Sequence, residues 1–207
     1  MRWRPVKTTR LEKDSKLVAA IAVLMATGLT SVSCAKDEKS ITPREGRNHV
    51  VEFVKSTTPQ TTAKGWWPRN GVASPGSCSL GSGQDGASYD YDLVAPRGTD
   101  LIGDAHLVAD YWKSLGMTVR IVNESTSPTV FAEGGPVLRA MFETDASDDR
   151  YRVGAVAPCA PGDAMSLVKE DEAERKNGKV FPGDEGVVPQ KDPRDRPAFP
   201  GEATSAP

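Results

Sequence analysis

Hydrophobic positions change their spacing several times along the chain, and each change marks an element. In "TPREGRNHVVEFVKS", Val50, Val51, Phe53 and Val54 give an apolar side at helical spacing. Thr42 stands where an N-cap belongs, Pro43 suits the first helical position and Glu45 completes a capping box. Together they predict a helix over 43–56. In "RGTDLIGDAHLVADYWKSLG", Leu101, Ala105, Val108, Trp112 and Leu115 recur at alternating steps of four and three, with Ala109 beside them. This stripe predicts a second helix, capped by Thr99 or Asp100 and ended by Gly116 in a left-handed conformation.

A period of two takes over elsewhere. "SYDYDLVAP" predicts a strand over 88–95, and "MTVRIV", "TVFA", "VLRAMFET" and "RYRVGAVAPC" predict four more. Leu138, Ala140, Phe142 and Thr144 form the cleaner core face of one strand; Tyr151, Val153, Ala155 and Ala157 share a side of another. "EGGP" and "DASDD" read as turns, and the short link after the second helix returns "MTVRIV" beneath it. The pattern as a whole predicts an α+β fold, a small antiparallel or mixed sheet with helices packed on one face.

Two regions lack a clear period. In "KGWWPRNGVASPGSCSLGSGQDG", proline and glycine interrupt every run, which predicts loops around short extended pieces. Its glycines lack the Lys-Ser/Thr of a phosphate-binding loop and the strand-to-helix setting of a dinucleotide fingerprint. After residue 162 the apolar pattern fades into "EDEAERKNGK" and a proline-, glycine- and aspartate-rich stretch. A charged, disordered tail is therefore expected over 163–207, with room for a short helix over 164–176, and the globular domain is expected over 42–162.

Candidate chemistry is sparse. Trp66 and Trp67 are adjacent, so in an extended chain they face opposite ways. One should belong to the core; both exposed would make a carbohydrate or peptide platform. With Tyr89 and Tyr91, which share one face of their strand, they form the candidate binding surface. Asp90 and Asp92 occupy the other face, where paired carboxylates can hold calcium or serve a glycosidase but more simply make a solvated sheet face. His49 and His106 are the only histidines; His106 lies one position off the helical stripe, where a hydrogen bond to backbone is expected. There is no G-x-S-x-G or H-E-x-x-H sequence, so no catalytic residue, metal site or cofactor is assigned.

The N-terminal residues add a location. Arg2, Arg4, Lys7, Arg10, Lys13 and Lys16 precede an uncharged run over 17–33, which stops at Cys34 where charge resumes. A basic segment, a short apolar segment and small residues before a cut site make a secretory signal. The run is short for a membrane span, which needs roughly 20 apolar residues. "TSVSC" resembles the lipobox of bacterial lipoproteins, although Ser31 stands where leucine is commonest. The resemblance implies that the Cys34 thiol receives a diacylglyceryl group and that the signal over 1–33 is removed, leaving a polar tether over 34–41. Two or more acyl chains make a stable anchor. The alanine-, glycine-, aspartate- and arginine-rich composition likewise resembles uncharacterised actinobacterial envelope lipoproteins.

Leaving out residues 1–33, with six basic and two acidic side chains, takes the formal charge from −2 to −6. An acidic chain argues against nucleic acid as a partner. Outside the cytoplasm the two remaining cysteines, Cys78 and Cys159, read as a disulfide that ties the opening segment to the closing edge. A zinc site with the two histidines lacks the usual ligand spacing. The expected protein is lipid-anchored on the outer face of the cell membrane, a non-catalytic binding or accessory domain. Its partners would be membrane lipid through Cys34 and an envelope protein or cell-wall polymer. The alternative is a small cell-surface hydrolase or carbohydrate-active enzyme.

Overall fold

The computed structural model describes residues 41–146 and 149–184; Cys34, the signal and the tether lie outside them. Helix α1 runs over Pro43–Thr57. Its capping box is formed in both directions. The Glu45 amide donates to Thr42 Oγ1 at 3.2 Å, and the Thr42 amide donates to Glu45 Oε2 at 2.8 Å. A single 3-10 turn, Thr58–Gln60, leads to strands β1 (Trp67–Pro68), β2 (Ser74–Gly81) and β3 (Gln84–Pro96). Helix α2 spans Leu101–Ser114, with the Asp100 carboxylate accepting from the Gly103 amide at 2.9 Å. Gly116 follows it at φ +80°, a conformation that costs glycine little. Strands β4 (Thr118–Val122), β5 (Thr129–Glu133), β6 (Arg139–Ala146), β7 (Arg150–Val156) and β8 (Ala160–Pro161) come next, then helix α3 (Ala164–Lys176).

The fold is α+β. All eight strands join one antiparallel sheet in the order β1-β3-β7-β6-β5-β4, with β2 and β8 also paired to β3. One face carries the core. Tyr89, Tyr91, Tyr151, Val153, Ala155 and Phe142 point into it and meet Val50, Val54, Val108 and Trp112 from the helices. Trp112 is fully buried; its Nε1–H donates to Thr57 Oγ1 at 3.0 Å, and its ring lies 5.6 Å from that of Phe53. Carboxylates inside this layer are enclosed by donors. Asp104 accepts from Tyr151 Oη at 2.9 Å and from the Thr62 amide and hydroxyl at 2.8 and 2.7 Å. No helix among the described residues is long and apolar enough to cross a membrane.

Three local expectations need correction. The glycine-rich stretch before the first predicted strand is not mainly loop. Residues 74–81 form β2, and β3 begins at Gln84, joined by a tight turn through Ser82 at φ +51°. Leu138 does not share the core face of β6. The strand begins at Arg139, so the turn before it leaves Leu138 48% exposed and sends Val137 inward instead. The third correction concerns the domain boundary, which lies beyond residue 162. Helix α3 is capped by Asp163, whose carboxylate accepts from the Ser166 amide at 2.7 Å. Its Asp171 is fully buried and accepts from Tyr89 Oη at 2.6 Å, Arg44 Nη2 at 3.1 Å and Arg47 Nη1 at 3.4 Å. Burial, reinforced by that bond to Asp171, holds the Tyr89 hydroxyl well above the usual tyrosine range. Further on, Phe181 is buried beneath the Arg47 guanidinium at 4.1 Å, and Arg175 pairs with Asp184 at 2.7 Å. The folded domain therefore includes residues through Asp184.

Candidate functional site

The sheet's second face carries no helix, and its residues are those that alternate with the core set. Directly opposed residues on antiparallel strands share a face, so the register places distant residues in rows. One row runs Asp90, Val156, Arg139, Glu133 and Thr118. The next runs Asp92, Gly154, Met141, Phe131 and Arg120. A third brings Trp67, Val94, Arg152, Glu143 and Thr129 into line.

The middle of these rows is low. Gly154 has no side chain, and Val156 and Met141 beside it are modest in height. The result is a hollow of about 550 Å³, lined also by Ser77 and Ser88 near the β2–β3 side. Asp92 lies across Gly154. A Cβ at that position would stand 1.9 Å from Asp92 Oδ1, so only glycine leaves room for the carboxylate as it sits. From there Asp92 takes Arg152 Nη2 at 2.6 Å, with Arg69 at 3.8 Å, and Arg152 also reaches Glu143 at 3.5 Å.

The charges on either side of that cluster are different. Asp90 forms no ion pair among the described residues. Burial raises its pKa above the ordinary aspartate value, the Asp92 carboxylate raises it further, and Arg152 and a backbone hydrogen bond only partly oppose them. Across the hollow, the Arg120 guanidinium stacks on the Phe131 ring at 4.1 Å. Arg139 stands opposite Glu133 in register, yet among the described residues neither arginine pairs with a carboxylate. The hollow thus has one acidic wall, one basic wall and an apolar floor between them.

The structure does not bring the four predicted aromatics together. Tyr89 and Tyr91 are 0% and 2% exposed and belong to the core, because their face of β3 is the one the helices cover; as a binding surface they are excluded. Trp66 packs toward the core with its ring 6.5 Å from Tyr151. Trp67 turns the opposite way and lies half-buried in the third row, with the Arg150 guanidinium 5.6 Å from its ring. Cys78 and Cys159 are joined, with their Cα atoms 5.9 Å apart. His49 is exposed on α1. His106 faces the Glu124 carboxylate at 3.3 Å rather than backbone, since both lie on the exposed rim of the α2 side. Sequence reasoning passed over Arg120, Arg139, Arg152 and Gly154. The signal available was the second set of the β6 alternation, Arg139, Met141 and Glu143, which becomes the floor and one wall of the hollow.

No protein-family model matches the chain, and no curated protein matches it. Among solved structures, it is similar to the crystal structure of a DUF4853 family protein from Actinomyces odontolyticus. That similarity has a TM-score of 0.47 and 16% identity, covering 60% of this chain and 72% of that one.

Proposed function

We propose that the chain is a bacterial envelope lipoprotein, held on the outer face of the cell membrane by acyl chains on Cys34. Its α+β domain acts as a non-catalytic binding module that presents the helix-free sheet face. The supporting observation is the Cys78–Cys159 bond, because structural disulfides persist in oxidising compartments outside the cytoplasm. It agrees with the lipobox-like "TSVSC" and the basic, then apolar, residues before it. The hollow on the open face has the size range of a ligand site, and neither histidine lines it.

The competing reading, a surface carbohydrate-active hydrolase, draws on the Asp90–Asp92 pair. Asp92 is engaged by Arg152 and Arg69, which disfavours it as a free nucleophile. Metabolic labelling of the full chain with a radiolabelled fatty acid tests the anchor. Label on the wild type and none on Cys34→Ala supports it, and label on both rejects it. Turnover of chromogenic glycosides by the wild type, lost in Asp90→Asn, would replace the binding module with the hydrolase.

A further inference from the structure

The open-face hollow has a charge pattern that specifies a ligand class. Asp90 and Arg139 are both register partners of Val156, one on each neighbouring strand. With strands about 4.8 Å apart, their Cα atoms are roughly 10 Å apart on one line across the sheet. Between them the floor is apolar and low, made by Val156, Gly154 and Met141. Arg152 is already neutralised by Asp92 and Glu143, so it adds little attraction of its own. The charges with spare capacity are Asp90 on one side and Arg139 and Arg120 on the other.

We infer that this hollow binds a short zwitterionic peptide with both termini free, its ammonium group on Asp90 and its carboxylate on Arg139 with Arg120 nearby. This rests on the reading of the helix-free face as the binding surface. Three extended residues span about 10 Å, which matches the separation of the two walls. Small apolar side chains fit over Gly154 and Val156, and a volume of about 550 Å³ accommodates a tripeptide. A purely anionic ligand would leave Asp90 facing negative charge; a purely cationic one would face two arginines. A zwitterion in the stated direction satisfies both walls. The upward shift of Asp90 has the same sense, since a half-buried carboxylate beside another carboxylate is relieved by an incoming ammonium.

The test is calorimetric titration of the full chain, purified in mild detergent, with trialanine, N-acetyl-trialanine and trialanine amide. Mass spectrometry of the same preparation reports the acyl chains. Trialanine should bind, and blocking either end should weaken binding by about tenfold or more, the loss expected for one charge-assisted contact. Arg139→Gln should bind trialanine and its amide equally, and Asp90→Asn should bind trialanine and its acetylated form equally. Equal binding of all three peptides by the wild type overturns the inference, as does no binding of any. An acylated chain that binds none of them loses the peptide and keeps the anchor; an unacylated chain that binds trialanine as described loses the anchor and keeps the peptide. The blocked peptides keep the test decisive even where a variant folds poorly.

Discussion

The two faces of the sheet are built from the same strands and differ in how their charges are treated. On the helix-covered face, Asp104 and Asp171 are buried, and each is enclosed by donors from other elements. On the open face, Asp92 is enclosed in a comparable way, but Asp90, Arg120 and Arg139 are not. The first arrangement fixes helices to strands, because a buried carboxylate stripped of its donors is costly. The second leaves electrostatic capacity facing solvent, where it contributes little to stability. Charge on one face therefore serves assembly, and charge on the other is available for recognition.

That contrast can be broken most strongly on the covered face. Trp112→Ala should lower stability by about 3–5 kcal/mol in urea unfolding, because it removes a fully buried aromatic and the partner of Thr57 Oγ1. A loss under about 1 kcal/mol would mean that α2 does not anchor the core. Ending the chain after Asn177 should cost about 2–3 kcal/mol more than ending it after Asp184, since only the shorter form loses Phe181 and the Arg175–Asp184 pair. Equal melting temperatures for the two truncations would return the domain boundary to residue 162.

Effects on the open face should be smaller and more specific. Gly154→Ala should cost about 1 kcal/mol by displacing Asp92 from Arg152, and the cost should shrink in an Asp92→Ala background. Additive losses would show that the glycine matters for another reason. Asp90→Asn should stabilise the protein at neutral pH. The native state holds the Asp90 proton more tightly than the unfolded chain, so wild-type stability falls as pH rises from the ordinary aspartate pKa through the raised one. The variant's advantage should open across that window and vanish below it. A wild type more stable than the variant at pH 7 would contradict the stated environment of Asp90.

Both long helices were legible because local rules suffice for them. Thr42 and Glu45 set the start of α1, and the Leu101-to-Leu115 stripe set the buried side of α2. Strand β2, "SPGSCSLG", was not legible, since it has almost no apolar alternation and is held by pairing with β3 and by the disulfide. Helix α3 could be drawn from its length and composition, but its attachment could not. It docks through Asp171 and Tyr89 more than through an apolar stripe, so hydrophobic periodicity ended the domain too early. The hollow was hidden for a different reason. Asp90, Arg139 and Arg120 meet only through the register of β3, β7, β6, β5 and β4, which no local pattern encodes.

The Cys78–Cys159 bond makes a covalent ring of the chain between its two cysteines. Asp90, Asp92, Arg120, Arg139 and Arg152 all lie on this ring, as do the exposed turns around Asn123 and Gly134. A protease that cuts once at either turn opens the ring into a linear chain without separating any fragment. Helices α1 and α3 lie on the two arms that leave the ring, and Arg44 and Arg47 on one arm grip Asp171 on the other. A nicked molecule should therefore run as a single species until a reductant is added, with the hollow's residues still on one connected piece. Against proteolysis the bond acts as a topological safeguard, independent of any stability it adds to the intact fold.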